Sequence, residues 1–149
     1  MSQQQVTVLS DPTVRATLIR AWEDSQPGDA GAHEEGGFIL QDPLGNLSTR
    51  SWPKGAQNTI TVPAHPNCRI GEKDIIASFH THPNIGDEYL QEPSETDKRA
   101  VRDDPDLKGG LYEGEFVISH EKVYLIAPNG QVREVGDRMK ILDIERDHL

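Results

Sequence analysis

The sequence is poor in the features that mark a secreted, membrane-spanning or nucleic-acid-binding protein. It has a single cysteine, Cys68, so no intrachain disulfide is possible and a reducing compartment is expected. Cys68 follows Pro66-Asn67 with no base at a telling spacing, and is read as a packing thiol. Basic residues are scarce: 15 Lys and Arg stand against 25 Asp and Glu, a net charge of −10. That balance argues against nucleic acid or anionic lipid as the main partner and favours a neutral or basic protein or peptide. No apolar run approaches the ~20 residues of a membrane span. The opening Met-Ser-Gln-Gln-Gln has neither the basic nor the apolar region of a leader. A cytoplasmic, membrane-free protein is expected.

With 149 residues the chain has length for one sizeable core, expected as a single domain over 11–149 after a flexible start at 1–10. Thirteen glycines and ten prolines predict many turns and a loop-rich β or α+β fold. Asp11-Pro12 opens a helix whose Val14, Leu18, Ile19 and Trp22 share one face. Gly37 to Leu40 and Leu47 to Trp52 flank a turn and read as a hairpin, with Thr59 to Val62 a third strand candidate. Asp74 to Phe79 is the most apolar strand candidate before the residues of interest, and is placed centrally in the sheet. A helix from Ser94, strands at Phe116–Ser119 and Lys122–Ile126, an Asn129-Gly130 turn into Gln131–Val135 and a short helix through Met139 and Ile144 complete the chain.

Asp74 to Phe79 runs directly into His80-Thr81-His82-Pro83. Histidines at i and i+2 on a strand point to one face and can chelate one ion, while Thr81 points to the other. Pro83 ends the strand and puts the pair at a sheet edge or mouth. Downstream, Ser94 and Asp97 stand as Ser-x-x-Asp, which fits a helix N-cap with an acidic third residue. The same turn can also turn the Asp97 carboxylate toward the histidines. Three protein ligands leave a zinc ion one position for water. A base is then needed, and His33-Glu34-Glu35-Gly36-Gly37 supplies two carboxylates before a strand, with glycines that permit close backbone approach. His33, His65, His120 and His148 lack partners at a telling spacing and are read as surface or loop residues, and Trp22 and Trp52 as packing.

Taken together, Glu34-x-x-Gly37, His80-Thr81-His82-Pro83 and Ser94-x-x-Asp97 resemble the JAMM signature of the MPN/JAB metallopeptidase family. The likeness covers residues from about 30 to 135. It implies the MPN/JAB, cytidine-deaminase-like fold: a curved mixed β-sheet flanked by helices, with the zinc site at the sheet edge. It implies that His80, His82 and Asp97 bind Zn2+, that Glu34 is the general acid/base, and that Ser94 supports the oxyanion. Glu34 is preferred to Glu35 because the family places its Glu three residues before a strand-opening Gly. The implied reaction is hydrolysis of a peptide or isopeptide bond, with a ubiquitin-like protein or peptide as substrate, as in deubiquitinase-like enzymes or bacterial antiphage conjugation systems. Toxin, phage-tail or sulfur-carrier systems and an inactive MPN scaffold are the alternatives. One departure is the spacer of eleven residues, Pro83 to Pro93, which is longer than the family's usual one. Either it bulges outward and shapes substrate access, or Asp87 or Glu88 within it replaces Asp97.

Overall fold

The computed structural model describes residues 8–57, 59–84, 91–108 and 110–142. They form an α+β unit around one mixed sheet of seven strands. The strands are β1 (Gly36–Gln41), β2 (Leu47–Ser51), β3 (Arg69–Ile70), β4 (Lys73–Thr81), β5 (Glu115–Ile118), β6 (Lys122–Ile126) and β7 (Val132–Asp137). Their order is β2-β1-β4-β5-β6-β7, with β3 paired to the start of β4. Only β4 and β5 run parallel; every other pair is antiparallel. The expected central placement of the apolar strand is met, because β4 lies between β1 and β5.

Helix α1 (Pro12–Asp24) starts where Asp11 accepts from the backbone N–H groups of Thr13 and Val14, with Pro12 in the first turn. Its Val14, Leu18 and Trp22 pack with Ile39, Phe79 and Phe116 on one face of the sheet. The short α3 (Arg138–Leu142) adds Leu142 to that cluster. Helix α2 (Glu95–Arg102) covers the other face, where Val101 meets Phe38, Trp52, Ile75 and Val117. Helices on both faces make three layers. No helix among the described residues is long and apolar enough to cross a membrane.

A bulge in β4 decides which face the histidines occupy. Ile39 pairs with Ala77 but Leu40 pairs with Ile75, so Ile76 is an extra residue. Ile76, Ala77 and Phe79 therefore face α1, whereas Ile75 packs toward α2. Strict alternation after the bulge puts Ser78 and His80 on the α2 side.

Three expectations are corrected. Val8 and Leu9 are buried in the α1-side core and residues 8–10 are helical, so that part of the start is not loose. Thr59 to Val62 is not a strand; despite its β-branched composition it finds no partner strand, and it lines a cleft instead. The histidine pair sits at the C-terminal end of an interior strand, not along a lateral edge of the sheet. Of the last expected helix, Ile144 lies outside the described residues, as does His148.

The glycines that open β1 are required by contact. A Cβ on Gly36 would lie 2.5 Å from Trp52 Cε3 and 2.7 Å from the Phe79 carbonyl oxygen. Gly36→Ala should therefore destabilise the fold by about 1–3 kcal/mol, seen as a lowered midpoint in thermal or urea unfolding. An unchanged midpoint would show that the Trp52 wall yields freely.

Candidate metal centre

His80 is in the last turn of the β4 pleat and His82 just beyond it; Asp97 stands on the first turn of α2. Chain connectivity brings them together, because α2 lies in the crossover between the parallel β4 and β5. His80 Nε2 lies 3.2 Å from His82 Nε2. Asp97 Oδ2 lies 3.1 Å from His82 Nε2, and Asp97 Oδ1 3.5 Å from His80 Nε2. Donors around a tetrahedral ion at ~2.0–2.1 Å stand roughly 3.3 Å apart, so these spacings suit a small cation.

The outer hydrogen bonds argue the same way. His82 Nδ1 is 3.1 Å from the backbone carbonyl of Gln91, which can only accept. His80 Nδ1 meets the carboxylate of Glu115. Both rings thus carry their proton on Nδ1, and both Nε2 lone pairs converge with a carboxylate. Three acceptors facing one another with no donor among them repel unless a cation or proton sits between. His80, His82 and Asp97 therefore form a group that could hold a metal ion.

Asp97 is doubly employed. Its Oδ2 accepts from the Ser94 backbone N–H at 2.9 Å while its own N–H donates to Ser94 Oγ at 3.0 Å, a capping box. One residue caps the helix and stands where it could ligate an ion, the two roles the spacing allowed. Burial pushes its carboxyl up, but hydrogen bonds from His80 and His82 outweigh that and hold it well below the usual carboxylate range. For His80, burial works against the proton, yet the Glu115 and Asp97 carboxylates raise its pKa well above the ordinary histidine value. A metal-free site thus takes up a proton where the ion would be.

Glu115 is the residue that sequence reasoning missed. It pairs with Ser78 across the parallel β4–β5 ladder. One carboxylate oxygen takes His80 Nδ1 and the other accepts from Ser78 Oγ at 2.8 Å, with Tyr112 Oη 2.7 Å from the same hydroxyl. The available signal was a charged residue opening an otherwise apolar strand. Gln91 was missed too. Its carbonyl holds His82, its Nε2 donates to the Asn84 carbonyl at 2.5 Å, and its Oε1 accepts from the His120 N–H at 3.2 Å. Asp87 and Glu88, the alternative third ligands, lie outside the described residues.

The ligand group lies in a cleft of about 680 Å³ that also receives Glu34, Ser94 and Trp52. Burial raises the Glu34 carboxyl above its ordinary range, against the pull of His80 and His82. Glu35 does not enter the cleft lining; its carboxylate is 2.6 Å from His33 Nε2. The Trp52 indole N–H is buried with no acceptor among the described residues. His33 and His65 lie in loops, as expected, but are buried, and each is paired with a carboxylate, His65 with Asp104 at 2.7 Å. No protein-family model, curated protein or solved structure matches the chain.

Replacing the Glu115 carboxylate by an amide in Glu115→Gln should weaken metal affinity by about 10–100-fold, measured by competition with a chromogenic chelator. Affinity should also fall as pH drops, by about tenfold per unit once His80 holds its proton. The sign for stability is opposite. The raised His80 pKa stabilises the metal-free fold below the ordinary histidine range, and that contribution is lost as pH rises through the folded value. Added metal should therefore raise the melting temperature more at alkaline than at acid pH; a pH-independent increment would contradict the proton-for-metal exchange.

Proposed function

We propose that this protein is a zinc-dependent hydrolase of peptide or isopeptide bonds, of the JAMM type its motifs resemble, acting on a ubiquitin-like protein or its C-terminal tail. The supporting observation is that all five motif residues, Glu34, His80, His82, Ser94 and Asp97, line one cleft, while the rival base Glu35 is tied to His33. The MPN/JAB fold belongs to the same proposal. In its favour are the mixed sheet covered on both faces, the histidines at the end of an interior strand, and the third ligand on the next helix.

Zinc held by His80, His82 and Asp97 would supply Lewis acidity toward water and the scissile carbonyl. The protein's own groups handle the protons. Glu34 accepts a proton from the attacking water as its oxygen adds to the carbonyl carbon, and returns it to the amine as the C–N bond breaks. A carboxyl whose pKa is raised by burial suits both halves, because it is a stronger base toward water and holds the proton until the amine takes it. Ser94 Oγ accepts from the Asp97 N–H, which leaves its own O–H free to donate to the oxyanion. A preorganised donor of that kind is worth about 3 kcal/mol. No covalent enzyme intermediate is required.

The chemistry is tested with ubiquitin-like proteins extended at their C termini and with small amides. Chelation should abolish cleavage and zinc should restore it. Glu34→Gln should keep the parent zinc content while lowering kcat about 10²–10⁴-fold. In the parent, kcat/KM should fall on acidification through the raised Glu34 pKa, since the base must be ionised to act. A zinc-free preparation that still cleaves, or a Glu34→Gln variant at the parent rate, would overturn the proposal; cleavage of small amides alone would reassign the substrate.

A further inference from the structure

We propose that Thr81, the residue between the two histidines, is a positioning residue that fixes Glu34 relative to the metal ligands; this rests on Glu34 as the proton carrier. The β1–β4 ladder pairs Gly37 with Phe79 and Gly36 with His80. One step further, Glu35 faces Thr81. The Thr81 N–H donates to the Glu35 carbonyl at 2.9 Å, which prolongs the ladder. The Glu35 N–H, however, donates to Thr81 Oγ1, at 3.0 Å. A side-chain oxygen has taken the place of a main-chain one, and the chain before β1 departs from the ladder here.

Glu34 is where it departs to. Its N–H donates to the Ala56 carbonyl and its carbonyl accepts from the Gly55 N–H, both at 2.9 Å. The glutamate is thus held between Thr81 on one side and the 55–56 segment on the other. The Thr81 end cannot drift, because the next residue, His82, donates its N–H to the Ile118 carbonyl at 2.8 Å and Thr81 itself is 0% exposed. The His33–Glu35 pair keeps the neighbouring carboxylate out of the way. One residue therefore carries both bonds that tie Glu35, next to the base, to the segment bearing the two histidines.

The chemistry allows only a hydroxyl at this position. Valine has the shape of threonine but no acceptor, and would leave the Glu35 N–H without a partner. Alanine removes the acceptor without a branched side chain to accommodate, so it serves if valine disturbs folding. Serine keeps the oxygen. A reacting group misplaced by an ångström loses on the order of 10²-fold in rate.

The experiment compares Thr81→Val, Thr81→Ala and Thr81→Ser in the full chain. It measures zinc content, amide hydrogen exchange at Glu35, and kinetics on a ubiquitin-like fusion that the parent cleaves. In the valine and alanine variants zinc content should match the parent, exchange at Glu35 should accelerate, and kcat should fall about 10–100-fold with KM little changed. The serine variant should restore protection and most of kcat. A parent that cleaves while valine and alanine variants match its kcat overturns the role of Thr81 alone, as does a serine variant as impaired as valine. Unchanged Glu35 exchange in all variants also overturns it. A parent that cleaves no fusion overturns the functional reading, and the Glu35 exchange contrast then decides by itself whether Thr81 holds the segment that carries Glu34.

Discussion

Three electron-pair donors aimed at one point, which only a proton or a cation between them can reconcile, is the constraint around which this molecule is arranged. Each imidazole has its Nδ1 proton taken by an acceptor further out, Glu115 for His80 and the Gln91 carbonyl for His82. The tautomers follow, and with them the direction of both Nε2 lone pairs. Asp97 adds full negative charge to the same point. Such an arrangement is costly in isolation and makes sense around a positive charge. The remaining architecture can be read as what is needed to keep it assembled. An interior strand supplies rigidity, a bulge supplies the correct face, and a parallel neighbour supplies the carboxylate behind the first histidine.

Economy of residues recurs through the centre. Asp97 caps a helix and completes the ligand group with the same carboxylate. Ser94 offers Oγ to that helix and keeps its hydroxyl proton for another partner. Adjacent glutamates divide the labour: Glu34 turns into the cleft with a raised pKa, and Glu35 is bound to His33. The histidine ring nitrogens are used on both sides, inward toward the ligand point and outward toward the scaffold. Shared use couples the parts, so local stability at the start of α2 and affinity for a cation belong to one equilibrium.

Much of this was legible in the chain itself. Asp11 and Ser94 revealed two helix starts because a capping side chain is a local signal. The apolar run into His80 revealed an interior strand because burial on both faces erases alternation. The group that could hold a metal ion was legible because histidines two apart and a capping aspartate are short-range patterns. What escaped was long-range or irregular. Glu115 is separated from His80 by 35 positions, and only the parallel pairing of β4 with β5 unites them. The bulge at Ile76 has no mark in a continuous apolar run. Thr59 to Val62 has strand composition but no neighbour to pair with, and composition alone does not reveal a missing partner. Val8 and Leu9 belong to the core although the polar residues before them suggested a loose start. His65 found the Asp104 carboxylate 39 positions away, where spacing along the chain gave no hint.

The long connection after His82 is fastened where it leaves and where it returns. Asn84 donates to the Gln57 carbonyl at 2.7 Å, and Gln91 is bonded to Asn84, His82 and His120. Both fastenings bear on His82, so the orientation of that ring is set from the connection as well as from the sheet.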